Sequence, residues 1–324
     1  MLLSFKLSIG KVAIANVPLY TNEAIAALPI RDPGALLPEF LAHALQYLNL
    51  ADGANRAAMG AVLNKAKLSQ LQIPLPSLDE QRRIAAILDL ADALVVKRRK
   101  VLEFLDDLGQ SVFLAMFGDR VIDEPNWPRT ELNEVVRNID SGSSPVCEPR
   151  PAEGDEWGVL KLGAVSYGSF NPVENKAFLG DISKLRRVEV RHGDLLFSRK
   201  NTKELVGAAA IAYNPPPRLL LPDLVFRLNL DRNRVTAEYL AALFSGPKRA
   251  QVVSLASGSA ASMSNISKSR LLSLEIELPP LYIQQEYSTT VRRIGECRAI
   301  CQQAGREFDE LFLSLQERAF SGRL

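Results

Sequence analysis

The sequence predicts an α+β chain in which strand-rich modules are joined and followed by long α-helices that pair as a coiled coil. Residues 63–119 lie over residues 266–322 at a constant offset of 203, with no gap. Each copy passes through a proline turn into a long stretch without proline, 77–124 and 281–324, and apolar residues recur at heptad spacing through both. Self-similarity at a fixed offset over this length marks duplicated supersecondary units.

The shared positions cluster at the two ends of the unit. Lys65/Lys268, Leu71/Leu274, Pro76/Pro279 and Gln81/Gln284 fall at the start, and Asp106/Asp309, Leu108/Leu311 and Phe117/Phe320 at the finish. Proline suits a strand end or a first helical turn and not a helix interior, so each helix begins just past its proline turn, near Asp79 in the first copy. From there every 3.5 residues brings Ile84, Leu88, Ala91, Val95, Arg98, Leu102, Leu105, Gly109, Val112 and Met116 to one seam. The second copy offers Tyr287, Val291, Ile294, Arg298, Cys301, Gly305, Phe308, Phe312, Leu315 and Ala319. A seam held that long argues coiled coil over two ordinary core helices. At 1.5 Å per residue each helix spans roughly 55–60 Å. Gly295 and Gly305 are expected to weaken the second helix.

After the first helix, Gly118, Pro125 and Pro128 break helical continuation, and a new module starts near Trp127. Short apolar runs separated by Gly, Pro, Asn and Ser then read as strands. One short helix is expected at TAEYLAALFSG, with Thr236 as N-cap and Gly246 past its end; PEFLAHALQYL takes its place in the first copy. The domains are therefore placed at 1–78, 79–119 (helix), 120–281 and 282–324 (helix). Leu2-Leu3-Ser4-Phe5-Lys6 resembles Leu195-Leu196-Phe197-Ser198-Arg199, so residues 1–78 match only the second half of the later module. The expectation is a partial first module, its strand edges covered by a partner or left by truncation.

A composition of 47% hydrophobic and 23% charged residues is that of a globular protein. No apolar run approaches eighteen residues and the N-terminus lacks signal-peptide order, so a soluble cytoplasmic location is expected. Cys147, Cys297 and Cys301 form neither a zinc set nor a disulfide framework, and His43 and His192 are isolated. A net charge of +2 does not itself argue for nucleic acid. Residues 184–203 nevertheless hold Lys184, Arg186, Arg187, Arg191, Arg199, Lys200 and Lys203 against Glu189 and Asp194, either a phosphate-contacting stripe or a solvated face.

Candidate DNA contacts follow from side-chain chemistry. Ser198, Arg199, Lys200 and Asn201 sit where a strand begun at Gly193 leads into a polar basic turn, and Arg or Lys can pair with guanine and Asn with adenine. Ser143 and Ser144 in one hydroxyl-rich loop, and Lys268 and Arg270 closing a second at 257–270, can donate to phosphates, with ordinary turn chemistry the competing reading for the serines. Lys161, after the apolar WGVL, is a further candidate. Ile84, Leu88, Val95, Leu102, Leu105, Val291, Ile294, Phe308, Phe312 and Leu315 are assigned to the helix and partner interface.

The order strand-rich module, PLPSLDEQRRIAAIL helix, strand-rich module, LPPLYIQQEY helix, with the tail LFLSLQERAFSGRL and its echo SVFLAMFGD, resembles the specificity subunit of type I restriction-modification systems. GDLLFSRKNTKELVGAAAI and PDLVFRL are also similar to that family. The resemblance implies that each module is a target-recognition domain reading one half of a split double-stranded DNA sequence. It implies that the helices are antiparallel spacers docking two modification (methyltransferase) subunits, with restriction subunits completing the complex. S-adenosylmethionine, ATP and magnesium then belong to the partners, and self-association of two chains stays open. Asn214-Pro215-Pro216-Pro217 lacks the aromatic of an amino-methyltransferase motif, and neither a glycine-rich cofactor loop nor a GxxxxGK[ST] loop is present, so no catalytic site is expected in this chain. The alternatives are a coiled-coil scaffold that reads no DNA, or an inactive truncated relic.

Overall fold

The computed structural model describes residues 1–6, 9–48, 50, 55–57, 60–62, 65–118, 127–183, 185–257 and 263–323. The boundary expected at 119/120, Lys184 and residues 258–262 of the serine-rich loop lie outside the described residues. In chain order the elements are β1 (Leu2–Ser4), β2 (Val12–Ala13), β3 (Ile25–Ala27), α1 (Pro38–Tyr47), β4 (Asn55–Ala57), β5 (Gly60–Val62), α2 (Lys65–Ser69) and α3 (Leu78–Phe117). There follow β6 (Arg129–Glu131), β7 (Val136–Ser141), β8 (Trp157–Leu160), β9 (Asn175–Phe178), β10 (Asp194–Ser198), β11 (Lys200–Asn201), β12 (Ala209–Ala212), β13 (Leu219–Leu220) and β14 (Val225–Leu230). The chain closes with α4 (Ala237–Ser245), α5 (Arg249–Ser254), β15 (Ser264–Asn265), α6 (Lys268–Leu272), β16 (Glu275–Glu277) and α7 (Leu281–Phe320). The chain is thus mixed α and β, with two helices of 40 residues each. Gly295 and Gly305 lie inside α7, which equals α3 in length.

Two compact units share these elements. The first comprises residues 1–104 and 297–324, the second 105–296.

In the first unit β1 lies between β2 and β3 in an antiparallel sheet, and Leu3 packs with Leu45 and Leu50 beneath it. The start of α3 runs against the end of α7: Ile84 and Leu88 form one cluster with Phe40, Ala319, Phe312 and Leu315. Further along α3, Arg98 meets Asp309, one step back along α7, which makes the pairing antiparallel. Gly305 is buried, and a Cβ there would collide with the Arg98 guanidinium, so two of the four residues that interrupt the apolar seam accommodate each other. The seam is legible in the burial. Ile84, Leu88 and Ala91 are buried and Val95, Arg98 and Leu102 half-buried on α3, while Lys97, Arg99 and Lys100 are exposed.

In the second unit a four-stranded antiparallel sheet has the order β12-β10-β14-β7. One face buries Phe197, Phe226 and Leu228 against α4 residues Tyr239, Leu240 and Phe244. The other buries Leu196, Ala210 and Val225 against Leu160, Val165 and Leu219. α4 is capped by Thr236, whose hydroxyl accepts from Tyr239 N–H at 3.3 Å. Gly246 follows the helix with φ −109°, outside the left-handed region expected of a glycine cap. Phe113 and Phe117 of α3 pack edge-on against Tyr287 of α7, at 5.5 and 5.3 Å.

The two units repeat a common plan. The strand order β2-β1-β3 matches β12-β10-β14. Beside β14 the second unit adds β7, whereas β3 has no further strand partner among the described residues. Gln81 and Gln284, an identity of the repeat, do the same work in each unit. The Gln81 amide oxygen accepts from Leu37 N–H at 2.9 Å while its NH2 donates to Ala35 and Pro76 carbonyls at 2.8 and 2.9 Å. The Gln284 amide oxygen accepts from Thr236 N–H at 3.0 Å, and its NH2 donates to Arg234 and Pro279 carbonyls at 3.1 and 2.7 Å. Leu37 and Thr236 are the N-caps of α1 and α4. Each glutamine therefore satisfies an N-cap N–H as the acidic residue of a capping box would, but from another helix, and ties the proline turn to the short helix.

Candidate functional site

The basic turn after β10 is built from the second unit's sheet. Gly193, at φ +79°, starts the strand; Leu195 and Phe197 enter one core and Leu196 the other. Because β10 is covered on both faces, its last residue is also enclosed. Ser198 is fully buried and Asn201 is 5% exposed. Asn201 donates to Ser166 Oγ at 2.9 Å and Ser198 Oγ at 3.2 Å, and its oxygen accepts from Thr202 N–H. The expectation that Ser198 and Asn201 face a groove is corrected by this burial: they hold the turn together.

Arg199 and Lys200 are half-buried. The Arg199 guanidinium lies 4.9 Å from the Phe226 ring centroid and donates to Asn265 Oδ1 at 3.1 Å. Lys268 Nζ lies 5.7 Å from the centroid of the same ring and donates to Ile139 carbonyl at 2.6 Å. Two cations from segments far apart in sequence are thus held on one aromatic ring, an arrangement that fixes positive charge in place at low entropic cost. β11 pairs with β15, Lys200 opposite Asn265, which brings the segment before Lys268 onto the basic turn.

The serine loop joins the same end of the sheet, since β7 pairs Ser141 with Phe226. Gly142 N–H donates to Pro222 carbonyl at 3.2 Å, and a Cβ at this position would collide with Leu221 carbonyl, which explains the glycine. Ser143 and Ser144 are exposed, with the Ser144 hydroxyl donating to Asp223. Arg270 is exposed and donates to Leu255 carbonyl at 3.3 Å. Lys161 forms an ion pair with Glu174 at 3.0 Å. Of the basic stripe, Arg186, Arg187, Arg191 and Lys203 are exposed. The structure therefore gathers Ser143, Ser144, Arg199, Lys200 and Lys268 at one end of the sheet and commits Lys161 to a carboxylate.

Phe226 and Asn265, which position the cations, were not singled out from the sequence. Phe226 reads there as an ordinary core residue, and Asn265 lies inside the serine-rich segment without a distinguishing pattern. The helix residues are placed as follows: Ile84 and Leu88 buried, and Val95, Leu102, Leu105, Val291, Ile294, Phe308, Phe312 and Leu315 half-buried along the seam. Leu90, Leu94, Val101 and Phe104 form a second stripe on α3 that is 45–65% exposed. Among the described residues no group of His, Cys, Asp and Glu could hold a metal ion, and no helix is long and apolar enough to cross a membrane.

Residues 1–103 match the family described as type I restriction modification DNA specificity domain. The chain is 31% identical over 167 residues to the EcoEI type I restriction enzyme specificity subunit of Escherichia coli, a match covering 51% of this chain and 28% of that subunit. It is 24% identical over 337 aligned positions to the EcoKI specificity subunit of E. coli strain K12, covering 98% of this chain and 72% of the relative. The fold is that of the type I restriction-modification S subunit from M. genitalium, with a TM-score of 0.63 at 14% identity over 98% of this chain and 82% of the other.

Proposed function

We propose that the chain is a specificity subunit of the type I restriction-modification kind and that it directs partner methyltransferase and restriction subunits to a DNA target. Residues 1–78 act as a partial first recognition module, 120–281 as a complete second one, and 79–119 and 282–324 as the spacer helices. The observation that carries this reading is the pair of cations, Arg199 and Lys268, fixed on Phe226 beside the exposed Ser143–Ser144 loop. Positioned positive charge and hydroxyl donors set the register on the phosphate backbone, which base contacts then read. The chain itself does no chemistry: S-adenosylmethionine, ATP and magnesium are carried by the partners. Because Ile84 and Leu88 are already packed against Phe312 and Leu315, we place modification-subunit contacts on the exposed stripe of Leu90, Leu94, Val101 and Phe104.

Replacing Arg199 and Lys200 together by alanine is expected to abolish selective DNA binding while leaving co-purification with the modification subunit intact. The dependence of binding on salt is expected to flatten by about one to two units of slope in log K against log salt. Competition binding of the purified complex against unrelated duplex, at several salt concentrations, checks both. Unchanged selectivity and slope would remove this end of the sheet from the account.

A further inference from the structure

We propose that Tyr167 is a specificity-determining residue, its ring contacting a base of the target beside the backbone contacts made by the Arg199–Lys200 turn. The inference rests on the DNA-reading function proposed above and adds a residue class that the basic and hydroxyl side chains do not supply.

Tyr167 is 75% exposed, and its side chain makes no hydrogen bond or ring contact among the described residues. Tyr20 and Tyr282 are also exposed, but Tyr167 is distinguished by how its backbone is held. The preceding residue, Ser166, is 6% exposed and accepts from the buried amide of Asn201, which also bonds Ser198. Three buried polar side chains thereby clamp the Tyr167 turn directly onto the basic turn. Ser166 also donates back to Leu162 carbonyl at 2.7 Å, and Gly168 takes φ +75°, reversing the chain so that Tyr167 stands at the turn. A buried polar network in place of apolar packing fixes one relative placement of the segments it joins. Here it joins an exposed aromatic to Lys200 and Lys203.

An exposed aromatic ring on a turn tied to a basic turn has the components of nucleic-acid reading. The cations set the register, and the ring packs against a thymine methyl or the face of an unstacked base. At 75% exposure the tyrosine buries little of its surface, so packing contributes little at this position.

The test uses the full chain co-purified with its modification subunit and a library of duplexes randomised over the central positions, sequenced after selection. Wild type is expected to enrich a defined motif. Tyr167→Ala is expected to lose about ten-fold preference at one or two adjacent positions with the rest of the motif intact, and Tyr167→Phe to retain the preference. An unchanged melting temperature for both variants confirms that the fold is not the cause. A motif unaltered in Tyr167→Ala, or weakened evenly at every position, overturns the proposal while leaving DNA reading in place. No motif with wild type overturns DNA reading itself, and this assignment with it.

Discussion

Arg227→Met destabilises the second unit by about 3 kcal/mol at neutral pH, the low end of the cost of breaking a buried ion pair. Arg227 is 7% exposed on β14, opposite Asp140 of β7. Its guanidinium donates to Asp140 at 2.8 Å, Asp194 at 3.1 Å and the carbonyls of Glu189 and Arg187 at 2.9 and 3.1 Å. Methionine fills the volume but strands two carboxylates and two carbonyls. The low end applies because the Asp140 side chain keeps 35% of its exposure and can be rehydrated. Partial burial alone would raise the Asp140 pKa, but hydrogen bonds from Arg227 and Asn229 outweigh it and hold the carboxyl below its usual value. The unfolded chain therefore takes up the proton first as pH falls. The stabilisation is present above about pH 3.9, the ordinary aspartate value, and is lost as pH drops through the folded-state value. Thermal denaturation of wild type and variant checks this: the gap between them is full at pH 7 and narrows in acid. A gap independent of pH would assign the loss to packing.

Gln81→Met and Gln284→Met are each expected to cost about 2–4 kcal/mol, because each strands one N-cap N–H and two carbonyls that the amide had satisfied. Both glutamines are fully buried, so methionine preserves the packing and isolates the hydrogen-bond term. Hydrogen exchange reads the effect locally. Protection falls in the first turn of α1 for Gln81→Met and of α4 for Gln284→Met, while exposed Gln285→Met leaves both unchanged. If neither helix start loses protection, the glutamines do not cap these helices.

The particular residues show what one sequence makes legible. The coiled-coil seam is readable because its signal is a period, and a period needs only the polarity of successive side chains; two of its exceptions, Arg98 and Gly305, occur where they meet. The identity of Gln81 and Gln284 is visible in the repeat, but their role is not, since Leu37 and Thr236 are brought to them by the fold of each unit. Ser198 and Asn201 mislead for a related reason. A polar turn in sequence looks solvated, and only the two-sided covering of β10 shows that its end is enclosed. Arg227 sits within a run that reads as an apolar strand, and its partners come from β7 and from residues 187–194 of the basic stripe. The strand order β12-β10-β14-β7 likewise depends on long-range pairing that alternation alone does not specify.

The central claim, that this chain selects DNA for its partners, is tested most directly by methylation-sensitive long-read sequencing of DNA from cells expressing it with the cognate modification subunit. The account predicts a defined methylated motif that disappears with Arg199→Ala plus Lys200→Ala. Absence of any motif with the wild-type chain, in cells where the same modification subunit methylates DNA with another specificity subunit, would contradict it.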